Sequence, residues 1–119
     1  MAKPISPTLH GIIDYLTVPL LFAAGPLFHF AGQAAGITST LAGVVLIYSL
    51  FTAYPPGLVK MITLPQHRAI DIVFAAAMLV SPFVLGFTGS AKFFFVGIGI
   101  LSIIVVALTD FSGKALAHR

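Results

Sequence analysis

The sequence predicts an all-α membrane protein: four transmembrane helices arranged as two tandem helical hairpins. Three observations predict it. Hydrophobic residues fill 59% of the 119 positions and charged residues 8%, against about 45–50% and about 25% in soluble domains. The apolar residues form four runs, each close to the roughly 20 residues that cross a bilayer as a helix. Short patterns from the first half recur in the second, 57 residues later.

Six Lys and Arg and three Asp cannot cover the surface of a soluble domain of this size. Disorder is excluded too, since it requires low hydrophobicity and high charge. Four spans use roughly 80 residues, and the remainder serves termini and connections. The runs are continuous, whereas barrel strands alternate apolar and polar residues over about ten positions. With no Cys, disulfides and thiolate metal sites are excluded. The scattered cations form no basic stripe, so nucleic acid is not an expected partner. The bilayer is.

The first span reads from Leu9 to Phe30, started by Ser6 as N-cap and Pro7 as first helical residue. The stretch from Gly32 to Gly36 reads as a tight turn. The second span runs from Ile37 to Tyr54 and stops at Pro55-Pro56-Gly57. Leu58 to Leu64 is too short to cross and is expected at the interface. The third span runs from Ala69 to Phe87, after Pro65, with Gly86, Gly89 and Ser90 marking the next turn. The fourth extends from Phe93 to Leu108, and a polar tail follows. Short glycine-rich joints make spans 1–2 and 3–4 antiparallel hairpins. The start lacks the strongly basic segment of a signal peptide.

Lys3, Lys60, Arg68, Lys114 and Arg119 fall on one side of this arrangement and Lys92 on the other. By the positive-inside rule both termini are cytoplasmic. Asp14, Asp71 and Asp110 lie towards the same side.

His10-Gly-Ile-Ile-Asp14 and His67-Arg-Ala-Ile-Asp71 share the pattern H-x-x-I-D at the 57-residue spacing. Thr52-Ala53-Tyr54 and Thr109-Asp110-Phe111 have the same spacing. Gly25-Pro26 and Ser81-Pro82 are 56 apart. Three patterns in one order point to duplication, with repeats over about 7–54 and 65–111. Each repeat holds two spans, so the repeats run parallel. Both His/Asp pairs then share one membrane depth and can face each other.

The segment Ser81-Pro82-Phe83-Val84-Leu85-Gly86-Phe87 resembles the signature of the SPW-repeat family of small bacterial membrane proteins. The start, from Lys3-Pro4-Ile5-Ser6-Pro7 through His10 to Asp14-Tyr15, is similar to two-repeat members. The resemblance covers nearly the whole chain and implies paired transmembrane helices and a bacterial inner-membrane location. It implies no biochemical activity. Three positions depart from the pattern: Phe83 replaces Trp, the first repeat reads Gly25-Pro26-Leu27, and Ala53 stands where an Asp like Asp110 is expected.

His10, Asp14, His67 and Asp71 form the candidate polar or ion site. Each pair is one helical turn apart on one face. The first reading is structural: acids early in a helix favour its positive end, and the pairs tie the first and third spans together. The alternatives are a relay for protons or cations in an oligomer, or metal binding, since imidazole and carboxylate are ordinary Zn ligands. Haem between His10 and His67 is geometrically conceivable but has no support, and no cofactor is expected. Pro19, Pro26 and Pro82 are expected to kink their helices, with Thr17 and Ser81 helping to satisfy the freed carbonyls. Gly97, Gly99, Ser102, Ala42 and Gly43 are expected at close helix contacts, and Phe93-Phe94-Phe95 beside Lys92 as an interfacial anchor.

No enzyme is expected. The chain has no Cys, Glu or G-x-S-x-G, and Ser81 lies about 20 Å along the helix from His67. The expected role is structural or accessory: a subunit or stabiliser of a larger membrane complex, or a self-associating homo-oligomer.

Overall fold

The computed structural model describes residues 3–112. Lys114 and Arg119, two of the cations that set the expected orientation, lie outside the described residues. Among the described residues four helices follow one another: α1 (Pro7–Phe28), α2 (Gly32–Leu50), α3 (Leu64–Leu85) and α4 (Gly89–Leu108). Each is long and apolar enough to cross a membrane. At about 1.5 Å per residue they reach roughly 29–33 Å, the thickness of the hydrocarbon core. The chain is a multi-pass membrane protein. α1 packs on α2, α3 on α4, and the hairpins meet mainly where α1 approaches α4.

The helix boundaries follow local chemistry. Ser6 caps α1, its side chain accepting from Leu9 N. Thr63 caps α3 with a capping box: its hydroxyl accepts from Gln66 N, and the Gln66 side chain accepts from Thr63 N. α3 therefore begins five residues before Ala69, with Pro65 inside its first turn, where a missing N–H is harmless. The turn expected at Gly32 to Gly36 is instead the first turn of α2. The reversal occupies His29 to Ala31, where His29 takes a left-handed φ of 60° and caps α1. Gly86, with φ 75°, does the same for α3.

The duplication extends through the backbone. α1 and α3 start and end 57 residues apart, as do their N-caps and C-caps. Ile5 N donates to Leu108 O, and Asp110 N to Ile5 O. In the other repeat Ile62 N donates to Phe51 O, and Ala53 N to Ile62 O. Each residue of the second set lies 57 positions from its counterpart. The segment before each odd helix is thereby stitched to the end of an even one. This fixes the height at which the helix starts and so the level of its His/Asp pair. The proline register shifts by one: Gly25 O accepts from Phe30 N where Pro82 O accepts from Phe87 N.

Apolar core residues lie between the helices, among them Leu21, Ala24, Ala42, Met78 and Phe95. Leu16, Val73, Phe83 and Phe93 point outwards, as expected where lipid replaces water. Phe94 and Phe95 are buried, so only Phe93 of the expected aromatic anchor faces outwards. Helical twist sends three consecutive residues in three directions. Lys92 lies over the Phe83 ring at 5.0 Å. Thr17 donates to Ile13 O and Ser81 to Ala77 O. These are their own i−4 carbonyls, not those freed by Pro19 and Pro82. The three prolines all lie inside continuous helices.

Of the expected small-residue contacts, Gly99 is a true close approach: a Cβ there would come within 2.6 Å of Leu79 Cγ and 3.2 Å of Ala75 O. Gly97 and Gly43 face open space. Gly99→Ala should destabilise the second hairpin by about 1–3 kcal/mol through overpacking. Gly97→Ala should be neutral or stabilising by up to about 1 kcal/mol through helix propensity. Unfolding in mixed detergent micelles compares the two.

Candidate functional site

The structure brings all four expected site residues together. His10 and Asp14 come from α1, His67 and Asp71 from α3. The acids hold the eighth position of their helices, so neither lies in the first turn, where the dipole acts. The expected stabilisation by the helix dipole is therefore replaced by direct pairing. Relative exposures are 2% for His10, 8% for Asp14, 0% for His67 and 6% for Asp71.

The contacts cross between hairpins. His10 Nε2 lies 2.9 Å from Asp71 Oδ2 and 3.4 Å from Asp14 Oδ1. His67 Nε2 lies 3.0 Å from Asp14 Oδ2 and 3.2 Å from Asp71 Oδ2. The His10–Asp71 contact is an aligned hydrogen bond. Neither carboxylate oxygen lies on the hydrogen-bond axis of His67 Nε2, so that atom is buried among charges without an aligned partner. The imidazoles meet edge to face at 5.3 Å between centroids. With both rings aimed at the same carboxylates, a macrocycle has no room between them.

Threonines fix the other side of each ring. His10 Nδ1 is 2.9 Å from Thr109 Oγ1, and His67 Nδ1 is 2.7 Å from Thr52 Oγ1. Each threonine donates its hydroxyl proton to its own i−4 carbonyl: Thr52 to Tyr48 O and Thr109 to Val105 O, both at 2.6 Å. A hydroxyl carries one proton, so each threonine accepts from the imidazole, and Nδ1 carries the ring hydrogen. Nε2 of both rings consequently faces carboxylate oxygen. A bare lone pair facing a bare carboxylate oxygen is repelled, so a proton or a cation lies between each Nε2 and the oxygen it faces.

Tyrosines hold the carboxylates. Tyr48 donates to Asp71 Oδ1 at 2.8 Å and Tyr54 to Asp14 Oδ2 at 2.9 Å. Here the repeat symmetry breaks. Phe111 matches Tyr54 in position and packs on His10 at 5.1 Å as Tyr54 packs on His67 at 5.2 Å. Phe111 has no hydroxyl, and Asp71 takes its donor from Tyr48 of the first repeat instead. Burial, and then the nearby Asp14 charge, push the Tyr54 phenol well above its ordinary value near 10, which keeps it a donor.

Thr52, Thr109, Tyr48 and Tyr54 join the site without having been expected there. The 57-residue spacing of Thr52 and Thr109, equal to that of the histidines, is the signal that connects them. His29 caps α1 near the opposite turn, where Ser90 Oγ reaches its carbonyl at 3.4 Å. Lys60 binds the carbonyls of Tyr54 at 2.5 Å and Gly57 at 2.7 Å, closing the α2–α3 connection. Exposed Leu58 and Met61 flank it.

No family model, curated protein or solved structure matches the chain.

His67→Ala leaves two buried carboxylates with one imidazole and should cost about 3–5 kcal/mol. The double variant His67→Ala with Asp14→Asn should recover part of that loss, and unfolding of the single and double variants measures the coupling. Tyr54 adds a pH dependence. Its phenol titrates higher in the folded state, so its contribution is intact below about pH 10 and erodes as pH rises further. Tyr54→Phe should flatten that alkaline decline.

Proposed function

We propose that the chain is a small structural or accessory protein of the bacterial inner membrane, a two-repeat member of the SPW-repeat family with both termini in the cytoplasm and no catalytic activity. It serves as a subunit or stabiliser of a membrane assembly. The observation that carries this reading is the closure of the polar layer. His10, His67 and Asp71, with Thr52, Thr109 and Tyr48, bond to one another across the two hairpins, and Tyr54 holds Asp14 within the first. The layer works as a clasp inside the bundle. The core beyond it, at Leu21, Ala24, Met78 and Phe95, is apolar, which supports a scaffold over a route for ions.

Proton- or cation-coupled transport through an oligomer is the second reading, favoured by a cavity of about 80 Å³ that borders His10, Asp14 and Asp71 and continues past Thr17 and Ser102.

Purification at native expression in mild detergent, with crosslinking mass spectrometry, tests the first reading. Stoichiometric companions or a defined homo-oligomer are expected, and a monodisperse monomer without companions overturns it. A pH-jump flux in proteoliposomes that is lost in Asp14→Asn would establish the second reading instead. Reporter fusions at either terminus should be active only as cytoplasmic fusions.

A further inference from the structure

We propose that the His10/Asp14/His67/Asp71 quartet is a binding site for one divalent transition metal ion of the Zn2+ class. This goes beyond the accessory role and stands or falls separately from it. One suitable ligand atom from each residue lies within 4.8 Å of all the others, and all four residues are buried. A tetrahedral ion with bonds of about 2.0–2.1 Å holds its ligand atoms about 3.3 Å apart. The imidazole–carboxylate separations, taken over both oxygens of Asp14 and one of Asp71, are 2.9, 3.0, 3.2 and 3.4 Å. With every pair of the ligand set within 4.8 Å, side-chain rotation that closes the widest pair by up to about 1.5 Å brings the set to tetrahedral spacing.

Three further features point to a metal rather than to a bare ion pair. The first is His67 Nε2, fully buried, aimed into the centre and without an aligned hydrogen-bond partner. An ion between the four groups gives its lone pair a partner. The second is the tautomer. With Nδ1–H donated to Thr52 and Thr109, both rings present Nε2 as the ligand atom, which is the arrangement that orients metal-binding imidazoles. The third is the tyrosine pair: Tyr48 bonds Asp71 Oδ1 and leaves Oδ2 facing the imidazoles, Tyr54 bonds Asp14 Oδ2, and both limit how the carboxylates turn. Two carboxylates and two neutral imidazoles carry a charge of −2, which one divalent ion cancels. Two nitrogen and two oxygen donors of this kind suit Zn2+ over soft thiophilic ions and over Ca2+ or Mg2+, which take six or more oxygens. The neighbouring cavity of about 80 Å³ has room for about two waters and offers an approach to the carboxylates.

The test is Zn2+ titration of the full chain in detergent micelles after treatment with a chelator, with Co2+ as a spectroscopic probe. The wild type should bind one Zn2+ per chain saturably, and Co2+ should give the intense visible bands of a four-coordinate site. His67→Ala should abolish both. Thr52→Val and Thr109→Val remove the acceptor for Nδ1–H, together with the hydroxyl's bond to its own i−4 carbonyl, and leave all four ligands in place; each should weaken Zn2+ binding about 10–100-fold, with unchanged helicity and elution volume. These two decide the matter if His67→Ala does not fold. Absence of saturable binding by the wild type overturns the site, as does wild-type affinity in His67→Ala or in both threonine variants.

Discussion

Two carboxylates are buried in a bundle whose outer surface is apolar, and the rest of the structure answers that constraint. An unpaired charge at the centre of a bilayer costs about 2.5–3.5 kcal/mol on insertion scales, so each carboxylate requires positive charge and hydrogen-bond donors close by. Each hairpin brings one imidazole and one carboxylate. Each imidazole contacts the carboxylate of the other hairpin at 2.9–3.0 Å. The hairpins share few contacts elsewhere, mainly between α1 and α4. Interhelical polar bonds in membranes average about 0.6 kcal/mol each. Their number and exclusion from lipid, more than the strength of any one, hold the two halves in register.

Duplication explains how so few polar residues build a closed site. One hairpin supplies a His/Asp pair on its first helix and a threonine just past its second. Set beside a copy of itself, each His reaches the other copy's threonine. The backbone bridges of Ile5 with Thr109 and of Ile62 with Thr52 place those threonines at the right height. The copies have diverged where identity was not required. Both tyrosine hydroxyls come from the first repeat, and the second keeps only the aromatic ring at Phe111. The clasp needs one donor per carboxylate, and the segment that provides it is free to vary: Tyr48 lies on α2 and Tyr54 in the connection after it.

The spans, the hairpins, the repeat and the four central residues were legible in the sequence because they depend on periodicity and long apolar runs. The turn between α1 and α2 was not. His29 adopts the left-handed conformation that glycine more often takes, and Gly32, which looked like the turn, opens the next helix. The start of α3 was displaced for a related reason: Thr63 and Gln66 form a capping box that admits Pro65 within the first turn. Phe94 and Phe95 looked like an anchor because adjacency in sequence says nothing about which way a helix turns each ring.

Composition and spacing alone determined that this chain lives in lipid, that one hairpin pattern repeats, and that two of its three acids recur in matched His/Asp pairs. Those properties are written in residue type and period, which survive any detail of packing. The tertiary structure decided how the pairs cross, which nitrogen of each ring faces inwards, and that Thr52, Thr109, Tyr48 and Tyr54 complete the layer. These depend on distances of about 3 Å between residues as many as 99 positions apart. Such distances arise only when the two hairpins dock, because a hydrogen bond is directional and short-ranged and the apolar pattern that folds each hairpin is neither.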